Sequence, residues 1–325
     1  MKHFLSCDWG TTAFRLRLVE TDGIKVIEEQ STRQGIGDTY QRWKQSSESG
    51  KERLPFYLDI ISGHIKAIGE RTGTSLDDLP LIISGMASST IGMVDLPYKA
   101  LPARVDGSNF IVHTIKPADE FKNTAFIISG LRTEDDVMRG EETKLAGCYP
   151  ANNSNAISTY IFPGTHPKHV EVKNGEAIAF KTYMTGEFFE LLSKKSILSA
   201  SVAEGGSLQS GNNVQNFEKG VRDSIHSNLL HQCFLIRTND VFKKLNRQQN
   251  YHYLSGLMIG SELKELLSDS RDITVVGGSA LSAQYVTALQ VLELPKQGAI
   301  LRTEDADEAL MKGQIKVLKR LTVNS

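Results

Sequence analysis

Residues 4–18 read FLSCDWGTTAFRLRL, an apolar run that breaks at DWGTT and resumes as apolar residues alternating with arginines. Alternation with a period of two is typical of a β-strand with one buried face, and the Asp22-Gly23 turn that follows predicts a hairpin. A tight corner between two strands exposes backbone N–H groups and threonine hydroxyls. Residues 8–12, which we call the first corner, could therefore bind phosphate oxygens. Taken alone, however, these residues are better explained as a plain hairpin corner in which Asp8 forms a hydrogen bond within the turn.

The composition is that of an ordinary globular protein. The 325 residues are 40% hydrophobic and 23% charged, and a chain of this length usually forms two cores. With 37 basic and 38 acidic residues the formal net charge is -1, which gives no general attraction to nucleic acid or to an acidic membrane surface. The sequence shows no signal peptide, no membrane-length apolar run and no CxxC pair. These features predict a cytoplasmic protein without membrane or nucleic-acid partners.

The order of predicted elements indicates two domains that begin alike. The first half reads as a hairpin, a helix and two buried strands that each stop at Ser-Gly. A later helix ends before the polar stretch at residues 151–155, which we interpret as the boundary between an N-terminal domain, 1–148, and a C-terminal domain, 149–325. The second half then opens with another strand, another Gly-Thr break and an Asn174-Gly175 hairpin turn.

The break in the second half is the second corner, residues 163–167 (PGTHP). It would offer Gly164, Thr165 and His166 to a phosphate in the same way as the first corner. A metal site shared by His166 and His169 is disfavoured, because residues three apart on a strand point to opposite faces.

A glycine turn, formed by Gly277, Gly278 and Ser279, connects a buried strand to a predicted helix. The N-terminus of a helix has unsatisfied N–H groups and a positive dipole end, which suits the adenosine and α-phosphate of a nucleotide. A strand–helix corner that needs glycine only for close packing explains the turn equally well by itself.

Residues 138–144 (MRGEETK) form a charged cluster at a predicted helix start. A carboxylate in this place could take the proton of a hydroxyl nucleophile, and Glu141 is the candidate general base. Without other context, Glu141 and Glu142 are more simply ordinary first-turn acids beside a solvated Arg139.

Taken in order along the chain, these motifs resemble the signature segments of the acetate-kinase, sugar-kinase, heat-shock-chaperone and actin superfamily. The sequence resembles more narrowly the 2-dehydro-3-deoxygalactonokinase family. The matching motifs are DWGTT at 8–12 with Arg15, SGM at 84–86, PY at 97–98, VMRGEET at 137–143, PGTHPK at 163–168, MTGE at 184–187 and LSGLMIG at 254–260. Agreement spaced along nearly the whole chain makes the resemblance specific.

The resemblance implies an α/β fold of two ribonuclease-H-like lobes with mixed sheets, flanking helices and an ATP cleft between them. It implies transfer of the ATP γ-phosphate to the C6 hydroxyl of the sugar acid 2-dehydro-3-deoxy-D-galactonate, with ATP and Mg²⁺ as cofactors. The residues implied to bind the cofactor are Asp8, Gly10, Thr11, Thr12, Gly164, Thr165, His166, Gly277, Gly278 and Ser279. Asp8 would hold Mg²⁺ directly or through water, and Glu141, Asp8 and Arg139 would be catalytic.

Three roles stay open at this point. Wider relatives place an aspartate where this chain has Glu141, so the base is either Glu141 or Glu142. The carboxylate of the sugar acid is best met by Arg139, or by hydroxyl and N–H groups of residues 85–89. In that segment Met86 and Ser88 are the candidate contacts, and a loop that only stabilises the lobe is the alternative. Arg15 is either a phosphate-side cation or a charge on a strand face.

The alternative function is a phosphohydrolase, or a kinase of another small sugar acid, on the same fold. A chaperone-like module would need a peptide-binding segment for which the chain has no room, and neither a P-loop nor a protein-kinase signature is present. The sequence does not decide the stereochemistry of the sugar acid. It also leaves the oligomeric state open, with a homodimer as one alternative.

Overall fold

The computed structural model describes residues 1–47, 52–149, 155–296 and 298–323, which form the mixed α/β fold that was predicted. The strands are β1 His3–Trp9, β2 Phe14–Glu20, β3 Lys25–Thr32, β4 Leu81–Gly85, β5 Lys99–Ala100, β6 Ala103–Arg104, β7 Val112–Ile115, β8 Ala125–Ile128, β9 Leu131–Arg132, β10 Val137–Met138, β11 Ser158–Phe162, β12 Lys168–Lys173, β13 Glu176–Thr182, β14 Asp272–Gly277 and β15 Leu301–Asp305. The α-helices are α1 Ile36–Ser47, α2 Arg53–Thr72, α3 Glu141–Cys148, α4 Thr185–Lys195, α5 Asn213–His226, α6 Leu229–Val241, α7 Arg247–Leu263, α8 Ser279–Val291 and α9 Ala306–Val323. Short 3₁₀ helices span Met86–Ser88, Ile197–Ala200 and Lys264–Ser268.

The chain divides into two compact units. The first consists of Met1–Asn153, Gly175–Ala179 and Asp307–Ser325, and the second of Ser154–Asn174 and Phe180–Ala306. The division therefore differs from the expected domains 1–148 and 149–325, because helix α9 and the start of β13 join the first unit. Of the polar stretch that suggested the boundary, residues 151–154 lie outside the described residues.

The sheet of the first unit has the strand order β3-β2-β1-β4-β8-β7. Strands β1, β2 and β3 pair antiparallel, as the alternating pattern and the Asp-Gly turn predicted, and β1, β4 and β8 pair parallel. One face of the sheet packs against α2 through an apolar cluster that includes Tyr57 and Ile61. The other face, through Phe4 and Ile82, packs against Met311 of α9. Burial on both faces explains why β1 and β4 read as continuous apolar runs.

The sheet of the second unit repeats this order as β15-β14-β11-β12-β13. Its first two strands, β11 and β12, are antiparallel, and β11, β14 and β15 are parallel. Side chains of β11 and β14 pack on α5 and α8 through a second cluster that includes Phe217 and Tyr285. The shared strand order confirms the expectation of two ribonuclease-H-like lobes. At the start of β13, which belongs to the first unit, Glu176 pairs with Arg104 of β6.

Helix α9 joins the first unit because two glycines let it touch α3. A Cβ atom at Gly147 would lie 1.7 Å from the carbonyl oxygen of Ala309, and one at Gly313 would lie 1.8 Å from that of Thr143. The next residue of α9, Gln314, is fully buried and donates to the carbonyl oxygen of Cys7 at 3.1 Å. The last helix of the chain therefore bonds directly to the first strand.

Within the described ranges, none of the helices combines the length and the apolar character that crossing a bilayer requires.

Replacing Gly313 by alanine tests the packing of α9. Because the new methyl group would overlap a backbone carbonyl, we expect the free energy of unfolding to fall by about 3 kcal/mol. Gly63→Ala on α2 is the matched control, since a Cβ atom there meets nothing within 4 Å, and it should stabilise by about 0.5–1 kcal/mol. Calorimetric unfolding of both variants measures the effects, and equal midpoints for the two would contradict the packing described.

Candidate active site

The first corner, residues 8–12, contains a buried tryptophan that fixes it to the core of the first unit. Trp9 is fully buried, its ring centroid is 4.9 Å from that of Phe14, and its Nε1–H donates to the carbonyl oxygen of Gln34 at 3.1 Å. Across the corner, the N–H of Gly10 donates to Ala13 at 2.9 Å and closes the turn. The corner is therefore a rigid platform rather than a loose loop.

N–H groups at the start of α1 form hydrogen bonds to the carbonyl groups of the first corner. The N–H groups of Ile36 and Gly37 donate to Gly10 and Thr11 at 2.9 and 3.0 Å. This approach needs glycine at position 35, because a Cβ atom there would lie 2.2 Å from the Thr11 carbonyl oxygen. Thr11 and Thr12 themselves are exposed.

Asp8 lies at the end of β1 beside the first corner, and its side chain is partly exposed. On β4 it pairs with Ser84, and at the next position, Gly85, a Cβ atom would be 3.4 Å from Asp8 Oδ1 and 2.8 Å from the Trp9 carbonyl oxygen. Gly140 approaches from the other side, since a Cβ atom on it would be 3.5 Å from Gly85 Cα. Both glycines have a positive φ, 93° for Gly85 and 106° for Gly140, which favours glycine. The structure thus brings together the first corner, the end of β4 and the start of α3, all within the first unit.

Arg139 precedes this helix start and is held on two sides. Its Nη1 donates to the carbonyl oxygen and to the hydroxyl oxygen of Ser88, and its guanidinium carbon lies 4.1 Å from the ring centroid of Tyr98. Arg139 Nε is buried and has no hydrogen-bond acceptor among the described residues. Arginine held by stacking loses less conformational freedom when it binds a planar anion.

The two predicted substrate contacts of the 3₁₀ helix Met86–Ser88 are less accessible than expected. The Ser88 side chain is fully buried beneath Arg139, and the Met86 side chain is partly buried against the apolar core of the first unit. In this structure Ser88 therefore contacts the guanidinium of Arg139 rather than open space.

Glu141 and Glu142 occupy different environments at the first turn of α3. Glu142 is fully buried, and its carboxylate accepts the Gly140 N–H at 2.7 Å and the Thr143 hydroxyl at 3.0 Å. Glu141 is partly exposed, and its Oε2 accepts the N–H of Arg139 at 3.2 Å. Burial, and then the negative charge of Glu141, raise the pKa of the Glu142 carboxyl to about 7, against the lowering effect of its hydrogen bonds. Glu141 is consequently the carboxylate of this pair that a ligand could reach.

Arg15 forms an ion pair with an acidic side chain of the first unit. Its Nη1 donates to the Asp307 carboxylate at 2.6 Å, and Asp307 also accepts from Arg17 Nη2 at 2.7 Å. Glu29 accepts from Arg17 Nε at 2.6 Å. This arrangement favours the interpretation of Arg15 as a strand-face charge that ties β2 to the start of α9.

The second corner lies against the start of α4. A Cβ atom at Gly186 would be 2.4 Å from the Gly164 carbonyl oxygen, and the N–H of Glu187 donates to the Thr165 carbonyl at 3.0 Å. Thr165 and His166 are exposed, and His166 Nε2 lies 2.6 Å from Glu187 Oε2. The predicted phosphate residues of this corner thus remain open to a ligand.

The glycine turn borders the same corner within the second unit. A Cβ atom at Gly277 would lie 3.5 Å from the Pro163 ring and 2.7 Å from Ser282 Oγ. Gly278 and Ser279 are exposed at the N-terminus of α8. The turn and the second corner are therefore neighbours, as a shared nucleotide site requires.

A cavity of about 200 Å³ opens beside these two segments. Its wall includes Gly164 of the second corner and Leu281 of α8. Three of the remaining wall residues have polar side chains, Thr185, Ser255 and Gln284, and the others are Gly186, Phe189, Tyr251, Met258, Ile259 and Tyr285. A mostly apolar and aromatic wall with a few polar groups is typical of sites for small molecules and cofactors.

Residues 8–317 match the family model described as 2-keto-3-deoxy-galactonokinase. The chain belongs to this family.

Two relatives and one solved structure extend the match. A protein of Rhizobium meliloti (strain 1021) named "Probable 2-dehydro-3-deoxygalactonokinase DgoK1" is 30% identical over 323 residues, which cover 96% of this chain and 95% of the relative. An Escherichia coli (strain K12) protein named 2-dehydro-3-deoxygalactonokinase is 28% identical over 297 residues, 89% of this chain and 90% of the relative. A Sinorhizobium meliloti structure that carries the same kinase name superposes with a TM-score of 0.79 at 27% identity, covering 97% of this chain and 96% of the other.

Two aromatic residues of the cavity wall were not predicted from the sequence. Phe189 and Tyr251 lie 62 positions apart, and their rings meet at 5.1 Å only in the fold. Tyr98 and Glu187 were likewise quoted only inside the family motifs PY and MTGE. Tyr98 and Glu187 could therefore have been found from these motifs, whereas no motif contains Phe189 or Tyr251.

The buried Glu142 makes stability depend on pH. Its pKa in the folded state, about 7, lies above its ordinary value of 4.5, so the folded state holds the proton more tightly than the unfolded state does. Its contribution to stability is complete below pH 4.5 and is lost as the pH rises through 7. We expect Glu142→Gln to lose several degrees less in melting temperature than the parent between pH 5 and pH 8. Melting curves at both pH values measure this, Glu134→Gln on an exposed loop is the control, and parallel curves for Glu142→Gln and the parent would refute it.

Proposed function

We propose that this chain transfers the γ-phosphoryl group of ATP to the C6 hydroxyl of 2-dehydro-3-deoxy-D-galactonate, in the breakdown of galactonate. The family match over residues 8–317 carries the proposal, and both curated relatives bear the name of this kinase. In this proposal the reaction takes place in the cytoplasm.

Glu141 acts as the general base in this proposal. Its side chain is partly exposed, so that a hydroxyl group can reach it, whereas Glu142 has no exposed surface. A base must lie within hydrogen-bond reach of the proton that it removes. The difference in burial therefore supports Glu141 and gives Glu142 the role of fixing the turn from which Glu141 projects.

Arg139 binds the carboxylate of the sugar acid. The contacts with Ser88 and Tyr98 leave the buried Nε of Arg139 without an acceptor among the described residues. Buried N–H groups normally have a hydrogen-bond acceptor, which a bound ligand would supply here. A planar carboxylate can accept from two guanidinium N–H groups at once, which fixes both position and orientation. Ser88 supports this role by holding Arg139 from below.

The first corner contributes the phosphate contacts of the first unit. The exposed Thr11 and Thr12 offer hydroxyl groups, and the corner is rigid because its carbonyl groups are bonded to α1. Asp8 suits Mg²⁺, which prefers oxygen ligands and keeps several waters, so one carboxylate with bound phosphate is sufficient. No cluster of three or more His, Cys, Asp or Glu side chains that could hold a metal ion occurs in the described part of the chain. When bound, Mg²⁺ neutralises phosphate charge.

The second unit binds the nucleotide. Gly164, Thr165 and His166 contact phosphate oxygens, and Gly277, Gly278 and Ser279 present the positive end of α8. The cavity beside them receives the adenosine, with Phe189 and Tyr251 among its walls. The adjacency of the second corner, the glycine turn and this cavity supports the assignment.

Phosphoryl transfer requires an aligned hydroxyl group and the exclusion of water rather than covalent help from the protein. Phosphate release should therefore depend on the acceptor, because water is a poor substitute in a site formed by substrate binding. We expect ADP release from ATP and Mg²⁺ to be fast with 2-dehydro-3-deoxy-D-galactonate and slow without it. A coupled assay compares this substrate with its gluconate-derived epimer, glycerol, glucose and acetate. Equal ADP release with and without the sugar acid would indicate a phosphohydrolase, and a preference for glycerol or glucose would overturn the choice of substrate.

Replacing Glu141 by glutamine tests the base. The amide keeps the size of the side chain but cannot accept the proton, so we expect kcat to fall by about 10²–10⁴-fold with little change in KM for ATP. Glu134→Gln, an exposed acid of the same unit, should retain the parent kcat. A Glu141→Gln variant with parent kcat would remove Glu141 from the mechanism.

A further inference from the structure

We propose that Glu187 is a positioning residue for the second corner, holding the His166 ring and the Thr165 carbonyl so that His166 can bind a phosphate oxygen. The proposal rests on the proposed function, in which this corner contacts the phosphates of ATP. It assigns a task to Glu187, the last residue of the MTGE segment 184–187, which the proposed mechanism leaves without one.

The backbone of this segment runs directly along the second corner. Tyr183 N–H donates to the Pro167 carbonyl at 2.8 Å, and Glu187 N–H donates to the Thr165 carbonyl at 3.0 Å. Between them, Gly186 is pressed against Gly164, at a distance that leaves no room for a Cβ atom. The corner therefore cannot change its conformation without moving the first turn of α4.

The side chain of Glu187 adds a constraint on the imidazole ring. His166 Nε2 lies 2.6 Å from Glu187 Oε2, and a carboxylate can only accept, so Nε2 carries a hydrogen atom and donates it. The other ring nitrogen, Nδ1, is then the atom that remains for a ligand. Nδ1 can donate to a phosphate oxygen only when the ring is doubly protonated, and the Glu187 carboxylate balances the positive charge of that form.

A simple surface ion pair is the competing explanation. The His166 and Glu187 side chains are 47% and 39% exposed, and pairs exposed to this degree contribute about 0–1 kcal/mol to stability. Glu190 and Lys194 form such a pair on the same helix at 3.0 Å. No contact of Glu190 with the second corner is found in the described residues, so Glu190→Gln is a matched control.

ATP affinity decides between the two explanations without requiring an acceptor. Calorimetric Kd values for ATP with Mg²⁺ are measured for the parent, Glu187→Gln, His166→Asn, the double variant and Glu190→Gln. Loss of a charge-assisted hydrogen bond to phosphate predicts a Kd about tenfold higher for Glu187→Gln and about tenfold to a hundredfold higher for His166→Asn. Because Glu187 acts through His166, the double variant should match His166→Asn, and Glu190→Gln should match the parent.

The same variants separate positioning from folding. Nitrogen NMR of ¹⁵N-histidine protein should show His166 protonated at Nε2 in the parent, with the signal assigned by its loss in His166→Asn, and a changed tautomer balance in Glu187→Gln. In turnover assays the effect should fall on KM for ATP and leave KM for the sugar acid unchanged.

Parent affinity in Glu187→Gln, or effects that multiply in the double variant, would overturn the proposal, as would a parent that does not bind ATP. A parent that binds ATP but does not phosphorylate the sugar acid would instead refute the proposed function, while the pattern of Kd values still decides the role of Glu187.

Discussion

Gly85 lies so close to β1 that a Cβ atom on it would be 2.8 Å from the Trp9 carbonyl oxygen, and Gly140 packs on Gly85 in turn. This backbone contact sets the spacing between the first corner, where Asp8 lies, and the helix that carries Glu141. Side chains in place of these hydrogens would separate the elements and change both conformations, since each glycine has a positive φ. The geometry of the first unit's site thus depends on the absence of a side chain at positions 85 and 140. In the second unit, the missing side chain of Gly186 likewise lets α4 approach the second corner closely.

Burial assigns different tasks to charged side chains that are adjacent in sequence. Glu142 is enclosed and bonded to the Gly140 N–H, which fixes the turn, while Glu141 one residue earlier remains accessible. Arg139 is half enclosed, stacked on Tyr98 and bonded to Ser88, so that its charge is oriented before any anion binds. Fixed charges and dipoles that do not reorganise are the main contribution of a protein to phosphoryl transfer.

The sequence was sufficient to predict the hairpin at the start, the two corners, the glycine turn and a second half that begins like the first. These features depend on local patterns: a period of two, an Asp-Gly turn, and glycine at a strand end. The membership of α9 in the first unit could not be predicted, because it depends on contacts of Gly313 and Gln314 with residues more than 150 positions away. The different burial of Glu141 and Glu142 also required the fold, since the first turn of a helix does not reveal which acid faces the interior. The cavity required it as well, because its walls come from four separate segments.

Helix α9 has a consequence for how the chain reaches its native state. Residues 307–325 complete the unit that begins at Met1, and the second unit is inserted between its parts. During synthesis the sheet that contains β1 emerges early, yet one of its apolar faces stays uncovered until Met311 has left the ribosome. Domains synthesised in one piece can fold in the order of translation, but this unit must wait for its final segment. Loss of α9 would therefore leave this apolar face of the β1 sheet exposed and prone to aggregation.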